Sequence, residues 1–164
     1  MKKFTTLKLA RAGLIAGLYV AISLITFPIA SGAVQIRLSE ALCFLPLIYF
    51  EAVPALFIGC ALSNLITGCA LFDIIFGSLV TLVSALLTYF IGKTIKKTPL
   101  KIILGGFFPV ILNALLLPLI WVWCYGAIEY IYPIQAVLLF IGQSLSVYAL
   151  GTFMYLGVKK HEKR

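Results

Sequence analysis

A chain of 164 residues that is 63% hydrophobic and 11% charged has too little polar surface to cover a water-soluble core. Its mean hydropathy of +1.14 fits a helical membrane protein, because backbone inside a bilayer must satisfy its own hydrogen bonds. The apolar runs lack the alternation of an outer-membrane barrel, and the length allows about six spans of roughly 20 residues with almost no domain outside the membrane. The formal charge of +8 then reports topology and contact with anionic headgroups, and nucleic acid is not an expected partner.

The first predicted span covers residues 10–30. Lys2, Lys3, Lys8 and Arg11 precede an uncharged run, Ala12–Ala33, that is long enough to cross, so it reads as a retained helix and not as a cleaved signal peptide. Ala12/Ala16, Gly13/Gly17 and Gly17/Ala21 give that helix a nearly flat face. Such a face lets a second helix come close and gain dispersion contacts, whether the second helix belongs to this chain or to a partner.

The second span, 34–50, is awkward. Ser39 to Phe50 is 12 residues, about 18 Å of α-helix, against a hydrocarbon core of roughly 30 Å. Parity requires it to cross, since otherwise Lys93, Lys96, Lys97 and Lys101 would lie outside. A turn at Glu51 to Pro54 leads to span 54–70, with Gly68 as a C-cap and Asp73 as a cap for span 73–92. A basic loop, 93–101, precedes span 102–124, which holds Pro109 and Pro118. An outer loop around Glu129–Pro133 leads to span 134–158 and a basic tail. With both termini cytoplasmic, inner segments hold 12 of the 13 basic residues.

Enzyme signatures fail. Gly92-Lys93-Thr94 resembles the end of a phosphate loop, but Leu87 stands where its first glycine belongs. Gly142-Gln143-Ser144-Leu145-Ser146 lacks the second glycine of a nucleophile elbow, and His161 sits in the tail. Cys43, Cys60, Cys69 and Cys124 form no C-x-x-C pair and read as buried small hydrophobes. No metal, cofactor or ATPase site is expected.

The remaining polar residues share two depths. Gln35, Arg37, Glu40, Asp73 and Glu129 fall at the outer edge, and Asn64, Asn113 and Gln143 near mid-bilayer. Polar groups there are costly unless they face a partner or a cavity, so their convergence suggests a ligand pocket open to the outside. Each has a plainer reading. Asp73 suits a helix cap, Arg37 and Glu40 a local ion pair, and the three amides suit interhelical hydrogen bonds. Trp121, Trp123, Tyr125, Tyr130 and Tyr132 suit an interfacial belt, with one or two free to stack on a planar ligand.

The stretches Val34-Gln35-Ile36-Arg37-Leu38-Ser39-Glu40, Gly59 to Asn64 and Phe72-Asp73-Ile74-Ile75-Phe76-Gly77-Ser78-Leu79 resemble the QueT family, and the likeness covers nearly the whole chain. Its members are substrate-binding subunits (S components) of energy-coupling-factor transporters, assigned to queuosine precursors. The resemblance implies an all-α, six-helix bundle in a prokaryotic plasma membrane, and a ligand under the loop after helix 1. It also implies docking, through an A-x-x-x-A motif, on a transmembrane T component that carries two ATPases. Ala12-Gly13-Leu14-Ile15-Ala16 matches that motif.

The implied ligand is a 7-deazaguanine bearing a cyano or aminomethyl group. Glu40, Asp73 and Glu129 are the candidate acceptors. Arg37, Gln35, Asn64, Asn113 and Gln143 are the candidate donors, with Trp121 as a stacking surface. The alternatives are an S component for another vitamin or nucleobase, a structural subunit that transports nothing, and a proton-coupled carrier. The last needs a carboxylate deep in a span, and none lies there.

Overall fold

The computed structural model describes residues 6–30, 34–126 and 130–162, and every regular element among them is helical. Helix α1 (Thr6–Ile25) is followed by the single turn α2 (Phe27–Ala30). A 3-10 helix, Leu38–Leu47, leads to α3 (Ala52–Ile66). A π turn, Asp73–Gly77, opens α4 (Ser78–Thr94), and α5 spans Thr98–Tyr125. The chain ends as one long rod made of α6 (Tyr132–Ser144), a π segment (Leu145–Gly151) and α7 (Thr152–Glu162).

The 3-10 helix is the axis of the bundle. Every residue from Ser39 to Leu47 is buried, and the segment packs against α1, α3, α4, α5, the π segment and α7. Its winding bears on the short second span. At about 2.0 Å per residue a 3-10 helix reaches a third further than an α-helix of the same length. Ten residues in this conformation are an unusually long run, and Pro46 lies inside it.

Two apolar clusters grip the axis. Leu42 and Leu45 pack with Ile15, Tyr19, Leu56 and Ala85, and Phe44 and Leu47 pack with Val110, Val147 and Tyr155. Gly92 of α4 faces the Leu47 backbone so closely that a Cβ there would overlap the Leu47 carbonyl. In lipid the attraction between helices is contact dispersion, so a missing side chain at such a crossing is itself a stabilising choice. Outward faces carry Leu7, Leu14, Leu18, Ile103, Val137 and Phe153.

Some boundaries differ from expectation. The basic loop shrinks to Ile95–Lys97, because α4 runs to Thr94 and α5 starts at Thr98 with Pro99 in its first turn. Charge ends a hydrophobic run without ending a helix. Gly68 does close α3, with φ +74°, while the Cys69 and Gly68 amides donate to the Asn64 and Leu65 carbonyls in a Schellman pattern. Four helices are long and apolar enough to cross a membrane, namely Thr6–Ile25, Asp73–Thr94, Thr98–Tyr125 and Tyr132–His161. The segments Leu38–Leu47 and Ala52–Ile66 are apolar but shorter.

Candidate functional site

Five elements end around one cavity of about 460 Å³. The ends of α1 and α3, the start of α4, the end of α5 and the start of α6 meet there, and the segment before the 3-10 helix enters from the side. The size falls in the usual range for small-molecule sites, about 300–1,000 Å³. The opposite end of the bundle carries the clasp Arg11–Glu51, a 2.8 Å ion pair with the guanidinium 4.0 Å above the Tyr49 ring.

Of the residues singled out from sequence, Gln35, Arg37, Asn64, Asp73 and Trp121 line the cavity. Arg37 is half-buried on extended backbone (φ −93°, ψ 97°) ahead of the 3-10 helix. Its carbonyl accepts the Glu40 amide at 3.0 Å, but its side chain makes no hydrogen bond to another described residue, and the Arg11–Glu51 pair is the one ion pair within 4.0 Å among them. The local Arg37–Glu40 pair suggested by their spacing is therefore not formed. That spacing rule holds for helical neighbours, and Arg37 precedes the helix.

Glu40 faces the other way. It is 1% exposed, and both of its oxygens accept protein donors: the Tyr19 hydroxyl at 2.6 Å and the Cys43 thiol at 2.9 Å. It does not line the cavity but stands behind Tyr19, which does. Asn113 and Gln143 are also outside the lining. They are 3% and 0% exposed, with the Asn113 amide 3.5 Å from Gln143 Oε1, as side chains joining α5 to α6. Glu129 lies outside the described residues.

Asp73 does not serve as the expected helix cap. Its Oδ1 accepts the Trp121 indole N–H at 2.7 Å, which ties the start of α4 to the end of α5. Asn64 supports the same turn from α3 by donating to the Asp73 carbonyl at 3.3 Å. The aromatic belt is thereby divided. Trp121 and Tyr125 line the cavity, Trp123 is 87% exposed, and the Tyr132 hydroxyl donates to the Leu115 carbonyl.

The backbone at Gln35 is strained. It is the one described non-glycine residue with positive φ, 45°, and its Oε1 is buried without a partner. Strain of this kind costs about 1–3 kcal/mol and persists where neighbours fix it. The neighbour here is Gly142 of α6, where a Cβ would overlap the Val34 carbonyl. Tyr19, Ser23, Ser39, Ser63, Thr67, Cys69 and Gln135 also line the cavity and were not singled out from sequence. Neutral polar residues within apolar runs give no signal until the rotation of each helix is known.

The small-residue face of α1 divides as well. Ala12 and Ala16 are half-buried against the core, and the Ala16 carbonyl lies 3.2 Å from where a Gly59 Cβ would sit on α3. Gly13 and Gly17 look outward, with nothing within 4 Å of an added Cβ.

Long apolar helices around a cavity that holds a guanidinium, a carboxylate and amides fit a helical membrane protein. No curated protein sequence and no solved structure matches the chain. The family model described as QueT transporter matches residues 9–160, and the chain belongs to that family. It is thus a membrane transporter component.

Proposed function

We propose that the chain is the substrate-binding subunit of an energy-coupling-factor importer and captures a 7-deazaguanine queuosine precursor in the cavity. In this reading the six spans 10–30, 34–50, 54–70, 73–92, 102–124 and 134–158 place both termini in the cytoplasm and the cavity on the outer side. A T component and two ATPases supply the energy.

The observation that carries the reading is the cavity itself. A guanidinium without a hydrogen-bond partner among the described residues and a carboxylate held by neutral donors line the same 460 Å³ space. A guanine-type ring presents a carbonyl that Arg37 can donate to, N–H groups for polar acceptors, and a flat face for Trp121 and Tyr125. Glu40 acts from behind by fixing Tyr19. Gly13 and Gly17, together with the exposed Leu14 and Leu18, offer the open part of α1 for docking on the T component, and Ala12 and Ala16 keep the helix close to α3.

Isothermal titration of the purified protein against 7-deazaguanines, guanine and unrelated vitamins tests it. The reading expects saturable one-to-one binding of a deazaguanine and at least tenfold weaker binding of the vitamins. Tighter binding of a vitamin would favour an S component for another substrate.

A further inference from the structure

The cavity and the shell behind it carry three charged side chains among the described residues: Arg37 and Asp73 in the wall and Glu40 behind it. Glu40 accepts a hydrogen bond at each oxygen and lies on the same short segment as Arg37. Its charge offsets that guanidinium without a direct pair. Asp73 is left over. Its donors are neutral, the Trp121 N–H at 2.7 Å with the Tyr125 hydroxyl close by, and no cation lies within 4.0 Å among the described residues.

The surroundings of Asp73 suit a positive charge. The side chain is half-buried, so water screens it incompletely, and the Trp121 and Tyr125 rings line the cavity with it. Aromatic faces attract cations through their quadrupole, most strongly where water is excluded. A carboxylate braced by an indole N–H beside two such rings forms a subsite for a primary ammonium. A charge of +1 on the ligand would also balance the net −1 of the three side chains.

We infer that Asp73, with Trp121 and Tyr125, is a cation subsite that selects an aminomethyl ligand over its cyano counterpart. This rests on the proposed function and goes one step further, to the charge of the ligand. An alkyl ammonium is protonated at neutral pH and donates three hydrogen bonds, whereas a nitrile is neutral and only accepts. Facing Asp73, the nitrile would set an acceptor against an acceptor. Arg37 and Gln35, at the other polar segment, serve the ring that both ligands share.

The test is a two-by-two titration of wild type and Asp73→Asn with aminomethyl- and cyano-7-deazaguanine, with thermal melts alongside. Wild type is expected to bind the aminomethyl compound at least about thirtyfold more tightly, and Asp73→Asn to reduce that preference below about threefold. Asp73→Asn keeps an oxygen to accept from Trp121, so the fold should hold. Tyr125→Leu, which removes a ring at the cavity rim, is expected to reduce the same preference by a smaller factor. Equal binding of the two ligands by wild type, or equal losses for both in Asp73→Asn, would overturn the subsite while leaving a deazaguanine binder standing. Binding of neither ligand by wild type would overturn the proposed function, and the subsite with it.

Discussion

At the scale of the residue, Arg37 and Glu40 are neighbours in sequence with different tasks. Changing Arg37 removes no side-chain hydrogen bond or ion pair among the described residues. Arg37→Gln should therefore cost little stability, no more than the loss of the charge that offsets Glu40. It should weaken ligand binding by roughly 2–4 kcal/mol, about 30- to 1000-fold, as expected for a lost charge-assisted hydrogen bond. Glu40→Gln should do the reverse. One of its two buried donors, Tyr19 or Cys43, would then face an NH₂ group and go unsatisfied, at a cost of about 1–3 kcal/mol in stability. Calorimetry and melts on the same samples separate the two. Unchanged stability with binding lost only in Glu40→Gln would put the ligand against Glu40.

At the scale of the element, the bundle depends on backbone crossings that tolerate no side chain. Gly92→Ala would drive a methyl group into the Leu47 backbone, which cannot rotate away, and should cost about 1–3 kcal/mol. Gly157→Ala meets open space inside α7 and should stabilise by about 0.5–1 kcal/mol, which serves as the unhindered control in thermal melts. Gly142→Ala would push the Val34 carbonyl off α6, with the strained Gln35 beside it, and should weaken binding more than stability. The sequence made these elements partly legible. Hydropathy located the long helices, and Gly68 marked the end of α3. The 3-10 winding of Leu38–Leu47 was not legible, because a run that is apolar on all sides has no periodicity to reveal its pitch. Asp73 read as a cap because its partner, Trp121, is 48 residues away.

At the scale of the whole molecule, charge and depth in the sequence pointed to residues that line the cavity, namely Gln35, Arg37, Asn64 and Asp73. Asn113 and Gln143, at the same depth as Asn64, join α5 to α6 outside the lining, since depth in a helix does not say which way a side chain points. Topology remains a matter of side. In a chain lacking Cys69 and Cys124, a cysteine at Gly126 should react with an impermeant reagent from outside, and one at Lys96 should not. Reaction at Lys96 from outside would invert the arrangement proposed. For docking, Gly13→Val with Gly17→Val should keep ligand binding and abolish co-purification with the T component and ATPases, because no described residue lies within 4 Å of a Cβ at those positions. Retained co-purification would move the docking surface off α1.

The central claim is that the ligand occupies this cavity, and the chain carries its own reporter. Cys69 lines the cavity and is half-buried, Cys124 is equally half-buried but outside the lining, and Cys43 and Cys60 are buried. The measurement is the rate of alkylation of Cys69 and Cys124 by a small uncharged reagent, read by mass spectrometry with and without saturating aminomethyl-7-deazaguanine. At a ligand concentration of about 100 Kd only roughly 1% of sites stay empty, so Cys69 should react at least about tenfold more slowly while Cys124 keeps its rate. An unchanged Cys69 rate under conditions where calorimetry records binding would place the ligand elsewhere and contradict the account.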